Sequence, residues 1–212
     1  SALLALQGGM EGGLAAAELL VGDGNPSGKT VDTFAKSLDD YPSTYNFHES
    51  RDYVDYTDDI YVGYRYFETI PGTAEKVVYP FGYGLSYTTF DVETVSAGVV
   101  NSNCTSEANK LYAKVRVTNT GKFSGKEVVQ VYIAKPQGKL GKPAKELAAF
   151  EKTRELQPGE SQLMILTWEI NDMASYDDLG KVKKSAYVLE AGSYDIYVGT
   201  SVRDVTKADY SY

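Results

Sequence analysis

What this 212-residue chain lacks narrows its chemistry before any motif is read. It holds one cysteine, Cys104, one histidine, His48, and a single tryptophan. One cysteine excludes an internal disulfide and a cysteine-based metal cluster. With the only histidine far away in sequence, Cys104 reads as an idle thiol rather than a nucleophile. Basic residues are outnumbered, 21 against 29 acidic ones, for a net charge of -8. That balance argues against nucleic acid, whose phosphates need a basic footprint. The lysines between residues 135 and 152 are interrupted by glutamates and read as a solvated strand face. No apolar run reaches membrane-spanning length, and the start, SALLALQGGMEGG, has no basic leader region. We therefore expect no membrane partner and lean to a bacterial, cytoplasmic protein.

What is present is tyrosine, 18 copies against seven phenylalanines, in a chain that is 42% apolar. That much apolar surface excludes wholesale disorder. In residues 1-36, SALLAL resembles a truncated interior strand, and Leu14-Ala-Ala-Ala-Glu-Leu-Leu-Val21 has helical spacing closed by Gly22. This β-loop-α unit belongs to a larger parallel sheet and cannot close a core alone. Residues 37-85 form a tyrosine-rich connecting segment, too long for an ordinary loop and too aromatic to be disordered. From about residue 86 the period becomes two. Strands are expected over Leu111–Thr118, Glu127–Ala134, Lys145–Glu151, Ser161–Trp168, 187–190 and Ser193–Gly199, separated by turn signals. Residues 86-212 therefore read as an antiparallel, immunoglobulin-like β-sandwich of the fibronectin type III kind, and the fold class is mainly β.

Candidate chemistry is sparse. The adjacent acids Asp39-Asp40, Asp58-Asp59 and Asp177-Asp178 point to opposite sides of an extended chain, so none forms a converging acid/base pair. Turn and cap roles fit them better, and a turn likewise fits Asp23, Asn25 and Ser27 better than a calcium loop. Glu11 lies between glycines after an apolar run, either presented at a cleft or sitting near a helix N-terminus. In IYVGYRYF, Tyr61 and Tyr64 are candidates to stack on a sugar ring and Arg65 to bond its hydroxyls. Alternation would send Tyr61 and Arg65 to one side and Tyr64 to the other, the pattern of a strand packed between two layers. In YPFGYGLSYTTF, Pro80 and the glycines set a turn, while Phe81, Leu85, Tyr87 and Phe90 are expected to anchor the first sandwich strand. The stretch reads as a domain junction, with Tyr83 left as a minor stacking candidate.

Several of these segments together resemble glycoside hydrolase family 3, the β-glucosidase and β-xylosidase family. GGMEGGLAAAELLVGDGNPSGKTVDTF is similar to the family's segment near the end of its α/β sandwich domain. DDIYVGYRYFE and YPFGYGLSYTTF resemble the link into the next domain. VTNTGKFSGKEVVQVYI, KPAKELAAFEKTRELQPGES and GSYDIYVGTSVRD resemble its fibronectin type III-like domain. One departure is Thr30-Val-Asp-Thr-Phe34, where the family usually has Leu-Pro-x-Thr or similar.

The resemblance implies a non-catalytic portion of a retaining, exo-acting glycosidase. Members take their nucleophile from an Asp motif on a TIM-like barrel and usually their acid/base Glu from upstream in the α/β sandwich. Neither is in this chain, and Glu11 matches a different family glutamate. No catalytic residue, cofactor or metal is therefore expected here. Glu11, Tyr61, Tyr64 and Arg65 remain substrate-side candidates. The expected partners are the barrel and the rest of the α/β sandwich, with a β-linked glucoside or xyloside reached through them. YNFHESRDYVDY looks more like members whose barrel follows these domains. Two other classes stay open. One is a carbohydrate-binding module using surface tyrosines. The other is a structural or oligomerisation domain, where an apolar patch left by absent sheet neighbours gives a homodimer.

Overall fold

The computed structural model describes residues 2–100 and 109–212, so Cys104 lies outside the described residues. The first regular element is helix α1, Gly12–Val21, ended by Gly22 at φ 88 with its N–H on Glu18 O at 3.1 Å. A glycine takes this left-handed cap without a Cβ clash. None of the helix residues is buried, and Leu14, Leu20 and Val21 are exposed. Residues 2–6 were expected as a strand but take no regular structure. A strand is held by hydrogen bonds to neighbours, and no sheet among the described residues includes them.

A two-stranded ribbon then pairs β1, Phe34–Ala35, with β2, Val77–Tyr79. It closes the base of the tyrosine-rich loop. Within that loop Ser37 and Asp40 form a capping box, and Asp40 also pairs with Lys76 at 3.2 Å. These are the cap roles expected of the first acid pair. The IYVGYRYF stretch holds a short helix, α2 (Tyr64–Phe67), not the strand that alternation suggested. Gly63 opens it at φ 58, a conformation that breaks a strand and favours glycine. Phe67 is buried beneath Tyr41, ring centroids 5.4 Å apart.

The sandwich follows. One sheet has the order β3-β4-β7, with β3 Phe90–Val99, β4 Lys110–Asn119 and β7 Ser161–Glu169. The other runs β11-β10-β5-β6: β5 Val128–Ala134, β6 Glu146–Lys152, β10 Asp195–Gly199 and β11 Val205–Ser211. All pairs are antiparallel. A hairpin of β8, Ser175–Asp177, and β9, Ala186–Val188, stands beside them. β4 and β7 alternate as the sequence suggested, with Leu111, Val115, Met164 and Trp168 inward and Lys114, Arg116 and Ile165 outward. The core closes against Val129, Val131, Ile133, Ile196 and Val198 of the second sheet.

β5 departs from alternation, since six of its seven residues are buried. Its outer face is covered by the tyrosine-rich segment. Tyr132 packs under Tyr64, and Gln130 Nε2 donates to Gly82 O at 3.2 Å and Thr200 O at 2.7 Å. The connector is therefore a third layer on the four-stranded sheet.

Candidate functional site

Two loops from distant parts of the sequence meet over the end of the sandwich. In GDGNPSGKT, Asn25 Nδ2 donates to Ser124 O at 2.8 Å, while its Oδ1 accepts from Ser86 Oγ and Tyr87 N. Thr30 exchanges backbone bonds with Tyr83 and Gly82, and its hydroxyl donates to Pro80 O at 2.7 Å. Lys29 Nζ pairs with Glu127 at 2.7 Å and donates to Gly84 O. Both side chains of that pair are largely withdrawn from water, where such a contact is least screened. The glycines permit the approach: a Cβ at Gly84 would stand 2.1 Å from Gly28 O, and one at Gly125 2.6 Å from Asn25 Nδ2. The turn expected of this loop covers residues 22–24, and Asn25 just after it is the tie between the α/β part and the sandwich.

YPFGYGLSYTTF docks in this clasp mainly through its backbone. Leu85 and Tyr87, expected to anchor the first sandwich strand, are exposed at 68% and 50%. The reason is visible in the hydrogen bonds: Gly82 N, Tyr83 N, Tyr83 O and Gly84 O hold the segment, so its side chains need not. Phe81 keeps its expected role, its ring 4.6 Å from Tyr64. Tyr83 stacks on Tyr79 at 5.7 Å.

An open cleft of about 220 Å3 lies beside the clasp, lined by Val31, Asp32, Thr33, Val62, Gly63, Tyr64, Arg65 and Phe81. It brings together two of the four sequence candidates. Tyr64 is half-buried, and its hydroxyl accepts Leu147 N at 2.9 Å. Arg65 pairs with Glu146 at 3.5 Å, and Glu146 in turn pairs with Lys135 at 2.5 Å. Tyr61 does not line the cleft; its hydroxyl stands beside Gly141. Glu11 lies elsewhere, at the exposed cap position of α1 and without a side-chain cap bond. Val31, Asp32 and Thr33 had drawn no site assignment. Nothing local marks them, because they meet Arg65 only through the β1–β2 closure.

The electrostatics around α2 are those of a support. Burial, then the charges of Tyr64 and Glu68, push the Tyr132 hydroxyl far above the ordinary range. It stays a neutral donor, to Gln130 Oε1 at 2.5 Å. Burial lowers Lys145, whose Nζ donates to Val202 O at 2.8 Å. Farther off, Lys142 is 2% exposed and bonded to Glu190. The same glutamate accepts Lys139 N at 2.7 Å. No group of three or more His, Cys, Asp or Glu side chains among the described residues is arranged to hold a metal ion.

Comparison with known proteins agrees with this anatomy. Residues 1–87 match the glycosyl hydrolase family 3 C-terminal domain, and residues 127–202 match the fibronectin type III-like domain. A β-glucosidase A from Butyrivibrio fibrisolvens is 61% identical over 220 residues, covering 100% of this chain and 26% of that protein. A β-glucosidase of Ruminococcus albus is 46% identical, over 93% of this chain and 20% of its own length. Among solved structures, a β-glucosidase from Paenibacillus barengoltzii superposes with a TM-score of 0.87 at 51% identity, covering 94% of this chain and 21% of that one. β-Glucosidase 3B from Thermotoga neapolitana, solved with α-D-glucose, gives 0.84 at 42%, over 98% and 27%. This chain therefore spans about a quarter of the length of the relatives it matches.

Proposed function

This chain belongs to glycoside hydrolase family 3, as the C-terminal α/β segment and fibronectin type III-like domain of such a protein, and from that premise we propose that it positions the catalytic domains of a retaining, exo-acting β-glucosidase-like enzyme. The observation that carries the reading is an asymmetry. The GDGNPSGKT loop is locked to the sandwich by Asn25, Lys29 and Thr30, whereas the helix before it buries no residue. A helix is normally amphipathic, with one face covered. The clasp thus holds one end of an α/β layer whose other elements lie outside this chain. The sandwich fixes where that layer points, and with it one wall of a glycoside cleft.

The whole enzyme would cleave a β-linked glucoside or xyloside by double displacement, one carboxylate attacking and a second protonating the leaving oxygen. This chain contributes neither. Its own contribution is geometric, through the cleft of Asp32, Tyr64 and Arg65 at the rim. We retain the division into 1-36, 37-85 and 86-212, with the middle part acting as packing between the other two.

The test is a graft. This chain, purified alone, releases no chromogen from an aryl β-glucoside. The same chain substituted for the matching segment of the B. fibrisolvens β-glucosidase A supports hydrolysis. Asn25→Ala in the graft lowers kcat/KM. Turnover by the isolated chain, or a folded graft without activity, overturns the reading.

A further inference from the structure

The acidity of this chain is not spread evenly. Between residues 37 and 60 seven Asp and Glu stand against one Arg, so six of the eight net negative charges fall within these 24 residues. The same stretch exposes Tyr45, Phe47, Tyr53 and Tyr56. Exposed apolar patches of this kind mark interaction surfaces. Asn46 fastens its two arms together, donating to Asp55 O at 2.6 Å and accepting from Thr57 Oγ1 at 3.4 Å. A cleft of about 550 Å3 lies alongside, lined by Leu38, Tyr41, Ser43, Thr44, Phe47 and His48.

We infer that this aromatic and acidic ledge is the seat of a second contact with the rest of the parent polypeptide, by way of a face that carries arginine or lysine. The inference rests on the family reading and adds to it a surface separate from α1. Three observations select this occupant. First, the relatives are about four times longer than this chain, so most of the polypeptide is available to cover the ledge.

Second, two of the four polar side chains lining the cleft are already engaged. The Tyr41 hydroxyl donates to Thr33 O at 2.7 Å and accepts Ala35 N, and the Thr44 hydroxyl donates to Leu38 O. No carboxylate lines it. Ser43 and His48 are the other polar groups lining it, a small set for a sugar site, whereas aliphatic stems of Arg and Lys lie well on tyrosine rings. Third, the carboxylates of Glu49, Asp52, Asp55 and Asp59 are exposed on this segment. Such carboxylates accept charge-assisted hydrogen bonds from cationic donors. A second copy would bring like charge onto like charge, which opposes association.

Hydroxyl-radical footprinting of the chain alone and of the B. fibrisolvens graft tests this. The inference expects modification of Tyr45, Phe47 and Tyr56 to fall about fivefold in the graft, as for residues at the centre of an interface. Tyr187, exposed on the β8–β9 hairpin, serves as the unchanged reference. Asp52→Asn with Asp55→Asn in the graft partly restores labelling of Tyr53 and Tyr56. If Leu14 and Leu20 of α1 are protected and the aromatics are not, the ledge has no such contact and the inference fails alone. If neither surface is protected, the positioning role proposed above fails with it. Protection indifferent to the Asn substitutions overturns the basic partner. Protection of the isolated chain by cello-oligosaccharide replaces it with a sugar site. A concentration-dependent mass of the isolated chain, lost in the Tyr56→Ala variant, replaces it with a dimer.

Discussion

Replacing Asn119 by alanine tests most directly how the turns at one end of the sandwich are held. Asn119 is fully buried, and its amide uses its whole hydrogen-bonding capacity. Oδ1 accepts from Thr88 Oγ1 at 2.7 Å and Gly121 N at 3.0 Å, and Nδ2 donates to Phe123 O and Leu156 O, both at 2.8 Å. At about 1 kcal/mol net per bond, the substitution costs about 4 kcal/mol. With a urea slope of about 2 kcal/mol per molar, the midpoint falls by about 2 M. Trp168, the only tryptophan and 4% exposed, reports the transition by fluorescence. Asn119→Asp separates hydrogen bonding from packing. It keeps both acceptor bonds but turns an oxygen toward two carbonyls, which disfavours its charged form and raises its folded pKa. A carboxyl raised on folding destabilises as pH climbs past its unfolded value, so the deficit relative to the parent chain is smallest below about pH 4 and grows above it. A midpoint shift under about 0.5 M for Asn119→Ala, or a deficit in Asn119→Asp that does not change with pH, refutes the reasoning.

Three further expectations follow from the same geometry. Gly82→Ala, at φ 78 and with its Cβ 2.2 Å from Gln130 Oε1, displaces Gln130 and exposes residues 79–88 to protease in the native state, whereas Gly9→Ala meets nothing and leaves the digest unchanged. Lys142→Met strands the Glu190 carboxylate and costs about 3 kcal/mol in urea unfolding; the double change with Glu190→Gln recovers part of it. Glu190, Asp195 and Glu160 have carboxyls held below the usual range by hydrogen bonds from Lys142, Lys207 and Arg154, respectively. Such groups stabilise above their unfolded values, and the stability is lost as pH falls through the folded ones, so Tm drops below about pH 4. A Tm unchanged from pH 7 to about 3 contradicts that sign.

The parts of this fold that were legible in the sequence are those fixed by neighbours along the chain. Gly22 had to end α1, because the helix spacing before it and the turn after it are both local. β4 and β7 show their alternation because one face of each meets the core and the other meets water. Glu11 was read as a cap residue or a cleft residue, and the structure puts it at the cap position of α1. Tyr64 and Arg65 were chosen for their chemistry and do share a cleft, but their present bonds go to Leu147 N and Glu146. Asp32 and Thr33 had no signal to give, since their place beside Arg65 depends on a ribbon joining residues more than forty apart.

β5 shows where period-two reasoning stops. VVQVYIA alternates well enough to suggest a half-exposed strand, yet Gln130 and Tyr132 are about as buried as Val129 and Val131. Polar residues go under a third layer only when their bonds are met there, and these are: Tyr132 donates to Gln130, and Gln130 donates to Gly82 O and Thr200 O. The same bonds explain why, in YPFGYGLSYTTF, Leu85 and Tyr87 do not anchor the first sandwich strand as expected, while Phe81 meets Tyr64 and Phe90 packs against the core. The segment's glycines bring backbone against the sheet, so carbonyls and amides do the holding, and Leu85 and Tyr87 are left facing outward. A side chain freed from holding its own segment is available to touch another, and Tyr87 already does so, its hydroxyl donating to Leu19 O of α1 at 2.7 Å. Position is thus passed from sandwich to connector to helix by hydrogen bonds to backbone, which tolerate little displacement, and a helix held this way presents its uncovered face in one fixed direction.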